Sequence, residues 1–200
     1  MTEPAPAAET MLRVGDPLEN LVAESARAAV LVVGARGLGS GRDTQLGSVA
    51  ERLTGAAGCP LVVVRGRVSG QGSVLVGVDG SAEAALSFGF DEADRRATTV
   101  TALQTAREDV PGRALALGER LRAWERRFPG VPVDPLVVTG NPAPSLMAHG
   151  TEAQLIVIGR RGNGLGSTSR ALVRAAPCPV AIVRDPATST KDQVTENPVL

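Results

Sequence analysis

The sequence predicts an α/β protein built on an open parallel sheet with helices on both faces, and three observations support this prediction. Short continuous apolar runs, such as VLVV at 30–33 and LIVI at 155–158, are typical of strands buried on both faces of a sheet. Segments with apolar residues at helical spacing alternate with these runs, which favours right-handed βαβ units. The 200 residues are 43% hydrophobic, enough to form a sizeable core.

One stretch of sequence occurs twice in the chain. Residues 15–37 align with residues 140–162 at an offset of 125, and residues 56–65 align with residues 175–184 at an offset of 119. The offset falls because the later copy has a shorter glycine-rich loop. The later copy is also preceded by about 50 residues that have no counterpart before the first copy. The sequence therefore predicts one complete and one incomplete module of the same kind.

The incomplete module is predicted at residues 12–65, after a Pro/Ala-rich start at 1–11 that we expect to be disordered. Asp16 followed by Pro17 is typical of a helix N-terminus. The predicted elements are, in order, a helix at 17–29, a strand at 30–34, a glycine-rich loop at 34–47, a helix at 48–56 and a strand at 61–64.

The complete module is predicted at residues 73–184, between a linker at 66–72 and a polar tail at 185–200 that we expect to be disordered. Ser81 is a candidate cap for its first helix, and Trp124 lies on an apolar helical stripe that predicts core packing. Its predicted strands are at 73–78, 100–103, 135–138, 155–158 and 180–183, and its predicted helices are at 82–95, 113–128, 142–152 and 167–176.

The composition argues against several classes of function. Net charge is zero and aromatic residues are 2% of the chain, which disfavours a nucleic-acid-binding surface. No apolar run has the length of a membrane span, and the N-terminus lacks the features of a signal peptide, so we expect a cytoplasmic protein. Cys59 and Cys178 occupy equivalent positions of the repeat, which predicts two buried thiols rather than a disulfide or a metal site.

The other titratable residues predict neither a catalytic nor a metal site. His149 is the only histidine, and no Cys or acidic residue lies near it at metal-ligand spacing, so we expect it at the surface. The acidic cluster at 91–94 and the charged helix around Arg120 are predicted to be solvated faces.

The loop of the first copy has the spacing that phosphate binding requires. Gly34 and Gly37 lie three residues apart after a strand, and Gly47 and Ser48 follow at the start of a helix. Glycine allows close approach of the backbone and positive φ. The first N–H groups of a helix lack partners within the helix and favour an anion, and Ser48 adds a hydroxyl donor.

This spacing, the GCP and PCP steps before the last strands, and VLVGVDGS at 74–81 resemble the universal stress protein family over nearly the whole chain outside its tails. The resemblance implies a Rossmann-like sheet of order 3-2-1-4-5. It also implies that ATP, with or without Mg²⁺, binds with its adenine near an Asp after strand 1 and with its ribose and phosphates on the glycine loop after strand 4. Members of the family pair their last strands antiparallel across a dimer.

Carried over by position, Asp79 corresponds to the adenine Asp, with Val78 beside it. The loop residues of the complete module that correspond are Gly159, Gly162, Gly166 and Ser167, and those of the incomplete module are Gly34, Gly37, Gly47 and Ser48. Each module departs from the family pattern. The complete module has three residues where nine are expected between its second and third glycines, and the incomplete module has no strand ending in the adenine Asp.

Two arginines follow the last predicted strand before the shortened loop. Arg160 and Arg161 can pair with phosphate, or Arg161, which aligns with Arg36, can be a solvated loop charge.

The resemblance also predicts how the two modules are joined. Strand 61–64 is expected to pair with strand 180–183 inside the chain, as an intrachain pseudo-dimer with about seven strands in one sheet. Strand 30–33 would then be an open apolar edge, which favours a homo-oligomer. A coding start upstream of Met1 would be another explanation for the missing front.

The favoured function is an ATP-binding regulatory module of the stress response, whose occupancy shifts assembly or the binding of an unidentified regulatory protein. The alternative is a nucleotide-free dimerisation or interaction module that has lost ATP binding. Slow ATP hydrolysis is the weakest reading, because no general base lies near either loop in the sequence.

Overall fold

One sheet organises the part of the chain that the structure, a computed structural model, describes: residues 8–35, 46–80, 82–160 and 165–184. The strands are β1 (Leu31–Gly34), β2 (Leu61–Val64), β3 (Ser73–Gly77), β4 (Val100–Ala106), β5 (Val133–Thr139), β6 (Ala153–Arg160) and β7 (Val180–Arg184). The helices are α1 (Pro17–Ser25), α2 (Ser48–Ala56), α3 (Glu83–Arg95), α4 (Val110–Arg127), α5 (Pro142–His149) and α6 (Ser167–Ala175).

The seven described strands lie in the order β1-β2-β7-β6-β3-β4-β5. Strands β3 to β7 are mutually parallel. When these five strands are numbered 1 to 5 in chain order, they lie side by side in the predicted order 3-2-1-4-5. Strand β2 pairs antiparallel with β7, which confirms the predicted junction. Both the fold class and the pairing of the last strands are therefore confirmed.

The helices cover the sheet unequally. Helices α3 and α4 pack on one face, where Val74, Val76 and Phe90 are buried in one core. Helices α1, α2, α5 and α6 pack on the other face, and Leu18, Leu53 and other side chains of all four helices share a second core with the sheet. Helices α3 and α4 connect strands that progress across the sheet from β3 to β5, whereas α5 and α6 lead back to β6 and β7 on the other side of β3. Because all these crossovers are right-handed, the reversal places the two pairs of helices on opposite faces.

Helix α1 begins as predicted but ends earlier. The Asp16 carboxylate accepts a hydrogen bond of 2.9 Å from the Leu18 N–H, and Pro17 follows in the first turn. The helix ends at Ser25 rather than at residue 29, because the Ser25 hydroxyl donates to Val22 O and accepts from the Gly58 N–H. This contact with a residue 33 positions away could not be seen in the local pattern.

Helix α4 begins earlier than predicted, at Val110 instead of residue 113. Asp109 adopts a left-handed conformation (φ 54°), which short polar side chains tolerate, and its carboxylate accepts from the Gly112 N–H. Helix α3 begins at Glu83, one residue later than predicted. Ser81, its predicted cap, lies outside the described residues.

The other boundary differences are similar in kind. Helix α5 ends at His149 instead of residue 152, and β4, β5 and β6 extend beyond the predicted apolar runs. Strands β4 and β5 pair over seven residues each. Trp124 stacks on Phe90 at 5.5 Å between ring centroids, so it packs beside the core as expected.

Hydrogen bonds as well as strand pairing hold together the first segment, which is the incomplete module predicted at residues 12–65, and the second segment, which is the complete module predicted at residues 73–184. The Arg65 guanidinium on the β2 side donates to the carbonyls of Val173 and Ala176 at the end of α6. Cations at a helix C-terminus satisfy carbonyls that have no partner within the helix. Arg65 therefore joins the last turn of one segment to the last strand of the other.

The surface formed by Val30, Val32 and Val68 beside β1 is apolar and exposed, and we call it the bare β1 surface. Val30 and Val32 are 40% and 57% exposed, whereas the aligned Leu155 and Val157 are 2% and 0% exposed beneath α3. Within the described residues no strand pairs with the outer edge of β1. The expected open edge is therefore present.

Both cysteines are free thiols. Cys178 is 1% exposed and Cys59 is half-buried, so the prediction of buried thiols is correct in full only for Cys178. Burial raises the pKa of the Cys178 thiol from 9.0 to about 11.

Each helix in the described part of the chain is too short or too polar to span a bilayer.

The raised pKa of Cys178 predicts a loss of stability at alkaline pH. The unfolded thiol ionises near its ordinary pKa of 9.0, while the folded thiol stays protonated to about 11. The free energy of unfolding should therefore be highest below pH 9.0 and fall by about 2–3 kcal/mol as the pH rises to about 11. Urea unfolding at a series of pH values measures this, and the absence of tyrosine removes one competing titration.

The control is Cys178→Ala, which should retain only the smaller slope due to Cys59, whose pKa is also raised by burial. An unchanged slope in this variant would show that ionisation of Cys178 does not limit alkaline stability.

Candidate functional site

A cavity of about 300 Å³ opens at the carboxyl ends of β3, β4 and β6. Strands β3 and β6 are neighbours whose following helices, α3 and α6, lie on opposite faces of the sheet. A crevice at such a reversal is where open α/β sheets bind ligands. The lining residues are Gly77, Val78, Asp79, Gly80, Leu103, Gln104, Thr105, Ile158 and Gly159 from strand ends, and Pro142, Leu146, Thr168 and Ser169 from α5 and α6.

The end of β3 supplies the acidic group of the cavity. Val78 is 6% exposed, and its N–H donates to Leu103 O at 2.8 Å, which extends the pairing of β3 with β4 by one residue. Asp79 follows on the exposed side, and Gly80 continues the lining. The structure thus places Val78 and Asp79, both predicted as site residues, at the cavity.

Glycine at position 77 lets α5 approach the sheet. A Cβ atom there would lie 3.2 Å from Leu146 Cδ1 and 3.3 Å from Ile158 Cγ2, tighter than most such contacts. Both side chains line the cavity. The space at the floor of the cavity therefore depends on the missing side chain of Gly77.

The amino terminus of α6 borders the opposite side of the cavity. Gly166 is the N-cap residue and provides no side-chain cap, so the N–H groups of the first turn have no side-chain acceptor at that position. Thr168 and the 6%-exposed Ser169 line the cavity. Gly166 and Ser167, which were predicted as site residues, lie at the exposed start of the helix and do not line it.

Of the other predicted residues of this segment, Gly159 lines the cavity at the end of β6, and Gly162 lies outside the described residues. Gln104, Thr105, Thr168 and Ser169 were missed. The sequence did contain a signal that the strand continues through Gln104 and Thr105, since no Gly, Pro or Asn follows directly after Leu103. In the structure, β4 accordingly continues to Ala106.

The glycine loop of the first segment lies elsewhere. Gly34 ends β1, the Gly47 N–H donates to Ala35 O at 2.9 Å, and Ser48 begins α2 with no side-chain cap. Because β2 is antiparallel to β7, the carboxyl ends of β1 and β2 lie at the end of the sheet opposite to the cavity. The two sets of predicted residues are therefore not brought together. Gly37 lies outside the described residues.

Arg160, considered as a phosphate ligand, has a different role. Its side chain is 4% exposed, and Nη1 donates to Gly55 O of α2 at 2.9 Å. Burial, with a smaller effect from Arg184, lowers the pKa of its guanidinium. Arg160 thus binds the first segment across the junction and does not line the cavity. Arg161 lies outside the described residues.

Arg120 was expected on a solvated face, but it contacts the end of β3. Its Nη1 donates to Asp79 O at 2.7 Å, and its Nε and Nη2 donate to Glu83 Oε1 at 2.9 and 2.6 Å. The side chain is 26% exposed. A contact between α4 and a strand end 41 residues earlier has no signal in the local sequence.

Within the described ranges, no three His, Cys, Asp or Glu side chains come close enough together to bind a metal. His149 is exposed, with Nδ1 2.9 Å from Ser145 O. The cavity offers one carboxylate, the amide of Gln104 and the hydroxyls of Thr105, Thr168 and Ser169, and its described lining contains no Lys or Arg. The acceptor oxygens among these groups suit an uncharged ligand group that donates hydrogen bonds through N–H.

Comparison with known proteins identifies related sequences over most of the chain. A sequence profile described as "Universal stress protein family" matches residues 2–65 and 72–184. A universal stress protein of Mycobacterium tuberculosis is 36% identical over an alignment of 194 residues. The match covers 84% of this chain and 66% of the relative. A second from the same species is 38% identical over 192 residues, covering 82% and 64%. The chain thus spans about two thirds of the length of these curated relatives.

A solved structure supports the same relationship. The crystal structure of a universal stress protein from Archaeoglobus fulgidus has a TM-score of 0.72 and 25% sequence identity, and the match covers 86% of this chain and 68% of that one.

The packing at Gly77 predicts that a larger residue will destabilise the fold and fill the cavity floor. Gly77→Val should lower the free energy of unfolding by about 1–3 kcal/mol, because Leu146 and Ile158 must move. Urea unfolding measures the effect. The control is Gly118→Ala on α4, where an added Cβ meets no atom within 4 Å and stability should rise by about 0.5–1 kcal/mol. A Gly77→Val variant of unchanged stability would contradict the close packing of α5.

Proposed function

The chain belongs to the universal stress protein family, and from this premise we propose that it is a regulatory module that binds an adenine nucleotide in the cavity at the ends of β3 and β6. The observation that carries the proposal is the convergence of Asp79, Gly159 and the first turn of α6 on one crevice. Occupancy would then regulate assembly or the binding of a protein partner.

The nucleoside part of the ligand fits the chemistry of the cavity. A carboxylate such as Asp79 accepts hydrogen bonds from the N–H groups of a purine, and the buried Val78 and Leu103 provide apolar surface beside it. Gln104 and Thr105 offer polar atoms that can contact a ribose. The volume of about 300 Å³ lies at the lower end of small-molecule sites, which suits a nucleoside better than a whole triphosphate.

The phosphates would lie toward the amino terminus of α6. Peptide N–H groups and the helix dipole favour negative charge there, and Ser167 and Thr168 add hydroxyl donors. Since the described lining has no Lys or Arg, this end lacks a full countercharge. We therefore expect the nucleoside contacts to supply most of the affinity, with a modest gain from each phosphate.

The glycine loop of the first segment is not part of this proposed site. Gly34, Gly47 and Ser48 lie at the end of the sheet opposite to Asp79 and the cavity. Mutation in this loop therefore serves as an internal test of which segment binds.

The proposal predicts that Asp79→Ala weakens ATP binding by about 10- to 100-fold, because hydrogen bonds to a charged group contribute about 1.5–3 kcal/mol. Asp79→Asn should lose less, since it keeps an acceptor oxygen. Isothermal titration calorimetry with ATP and Mg²⁺ measures these changes. Asp94→Ala, on the exposed part of α3, and Gly47→Val at the other edge should both bind like the wild type.

Two results would contradict the proposal. If Gly47→Val abolishes binding while Asp79→Ala does not, the nucleotide binds the first segment. If folded wild-type protein does not bind ATP or adenosine at millimolar concentration, the nucleotide function is wrong and the interaction function below is favoured.

A nucleotide-free interaction module is the second candidate, and the bare β1 surface favours it. Val32 and Val68 are 57% and 71% exposed next to the outer edge of β1, with which no other strand of the described ranges pairs. They border a groove of about 260 Å³ together with Val62 and Phe88. Exposed strand edges with apolar side chains promote pairing with another chain, and a second copy pairing its own β1 would cover both edges at once.

This candidate predicts that the wild-type chain self-associates and that Val32→Lys weakens association by about tenfold or more, because the lysine would be desolvated at the contact. Sedimentation equilibrium over a range of concentrations measures the association constant. The matched control is Leu115→Lys, which removes another exposed apolar side chain (72%, against 57% for Val32) from α4, away from β1. A wild-type chain that stays monomeric throughout, or an equal effect of Leu115→Lys, would contradict pairing through β1.

A further inference from the structure

The backbone that carries Asp79 leaves the sheet before it reaches the cavity. Strand β3 ends at Gly77, and the hydrogen bond from the Val78 N–H to Leu103 O extends the pairing with β4 by one residue. Asp79 and Gly80 follow, and both are exposed and line the cavity. Contacts from outside the sheet therefore contribute to their position.

Arg120 provides such a contact from α4. Its guanidinium donates through Nη1 to the backbone carbonyl of Asp79 and through Nε and Nη2 to the Glu83 carboxylate in the first turn of α3. Because the guanidinium is planar, the two bonds to Glu83 fix the direction in which Nη1 points. One side chain thus joins the strand end, α3 and α4.

The bond to Asp79 O also fixes the peptide plane between Asp79 and Gly80. The described chain has no cis peptide bond, and in a trans peptide the carbonyl and the following N–H point in opposite directions. The carbonyl points toward α4, on the face that carries α3 and α4. The Gly80 N–H therefore points toward the other face, where α5 and α6 border the cavity.

We propose that Arg120 is a positioning residue for the nucleotide site, which holds the Asp79 carboxylate and the Gly80 N–H in the orientation that binds the nucleoside. The proposal rests on the proposed nucleotide function. Arg120 does not line the cavity, so it acts through Asp79 and Gly80 and not on the phosphates. Its loss should accordingly affect every ligand that carries the nucleoside by the same factor.

The test compares Arg120→Met with Arg120→Lys by calorimetry, using ATP and adenosine as separate ligands. Arg120→Met should weaken both by about tenfold and leave the ratio of the two affinities unchanged. Arg120→Lys keeps one donor within reach of Asp79 O and should weaken the binding of both ligands by only about threefold. The matched control is Arg122→Met, an exposed arginine on the same helix, which should bind like the wild type.

The outcomes separate this inference from the function on which it rests. Wild-type protein that binds neither ligand overturns both. If the wild-type protein binds, three results overturn the positioning role alone. These are unchanged affinity in Arg120→Met, a loss in Arg120→Met for ATP but not for adenosine, and an equal loss in Arg122→Met. If Arg120→Met folds poorly by circular dichroism, Arg120→Lys decides the question, since equal weakening of ATP and adenosine by about threefold supports the role and unchanged affinities overturn it.

Discussion

The antiparallel pairing of β2 with β7 is the constraint on which the rest of the molecule depends. Val62 lies opposite Ala181, which is its equivalent in the repeat, so the two segments are related by an approximate twofold axis through this pair. Such an axis is perpendicular to the sheet and keeps α1 and α2 on the same face as α5 and α6, where they share one core. The same axis reverses β1 and β2, so their glycine loop faces the edge opposite to the cavity.

The junction is more than strand pairing, because side chains of each segment bind the helix ends of the other. Arg65 donates to carbonyls at the end of α6, and Arg160 donates to Gly55 O near the end of α2. These arginines are half-buried and buried, respectively, and the helix carbonyls they contact lack partners within the helix. Arg160, the last residue of β6, which the sequence suggested as a phosphate ligand, thus contributes to holding the two segments together.

The two copies of the repeat show that equal sequence does not give equal environment. Leu155 and Val157 are buried because α3 covers them, whereas Val30 and Val32 are exposed because no described helix covers that side of β1. The cavity is subject to the same asymmetry. It lies where β3 runs beside β6, since Asp79 follows the first of these strands and Gly159 belongs to the second. Among the described residues, β1 has only β2 as a neighbouring strand.

The sequence by itself determined the interior of each strand and helix and the N-cap at Asp16, because these depend on periodicity and spacing within a few residues. The pairing of the last strands and the position of Asp79 followed from the resemblance to the family. Only the tertiary structure decided where α1 ends, that Thr168 and Ser169 line the cavity, and that Arg120 donates a hydrogen bond to Asp79 O beyond the end of β3. Those features depend on contacts between residues tens of positions apart, and a side chain's local pattern carries no information about its distant partner.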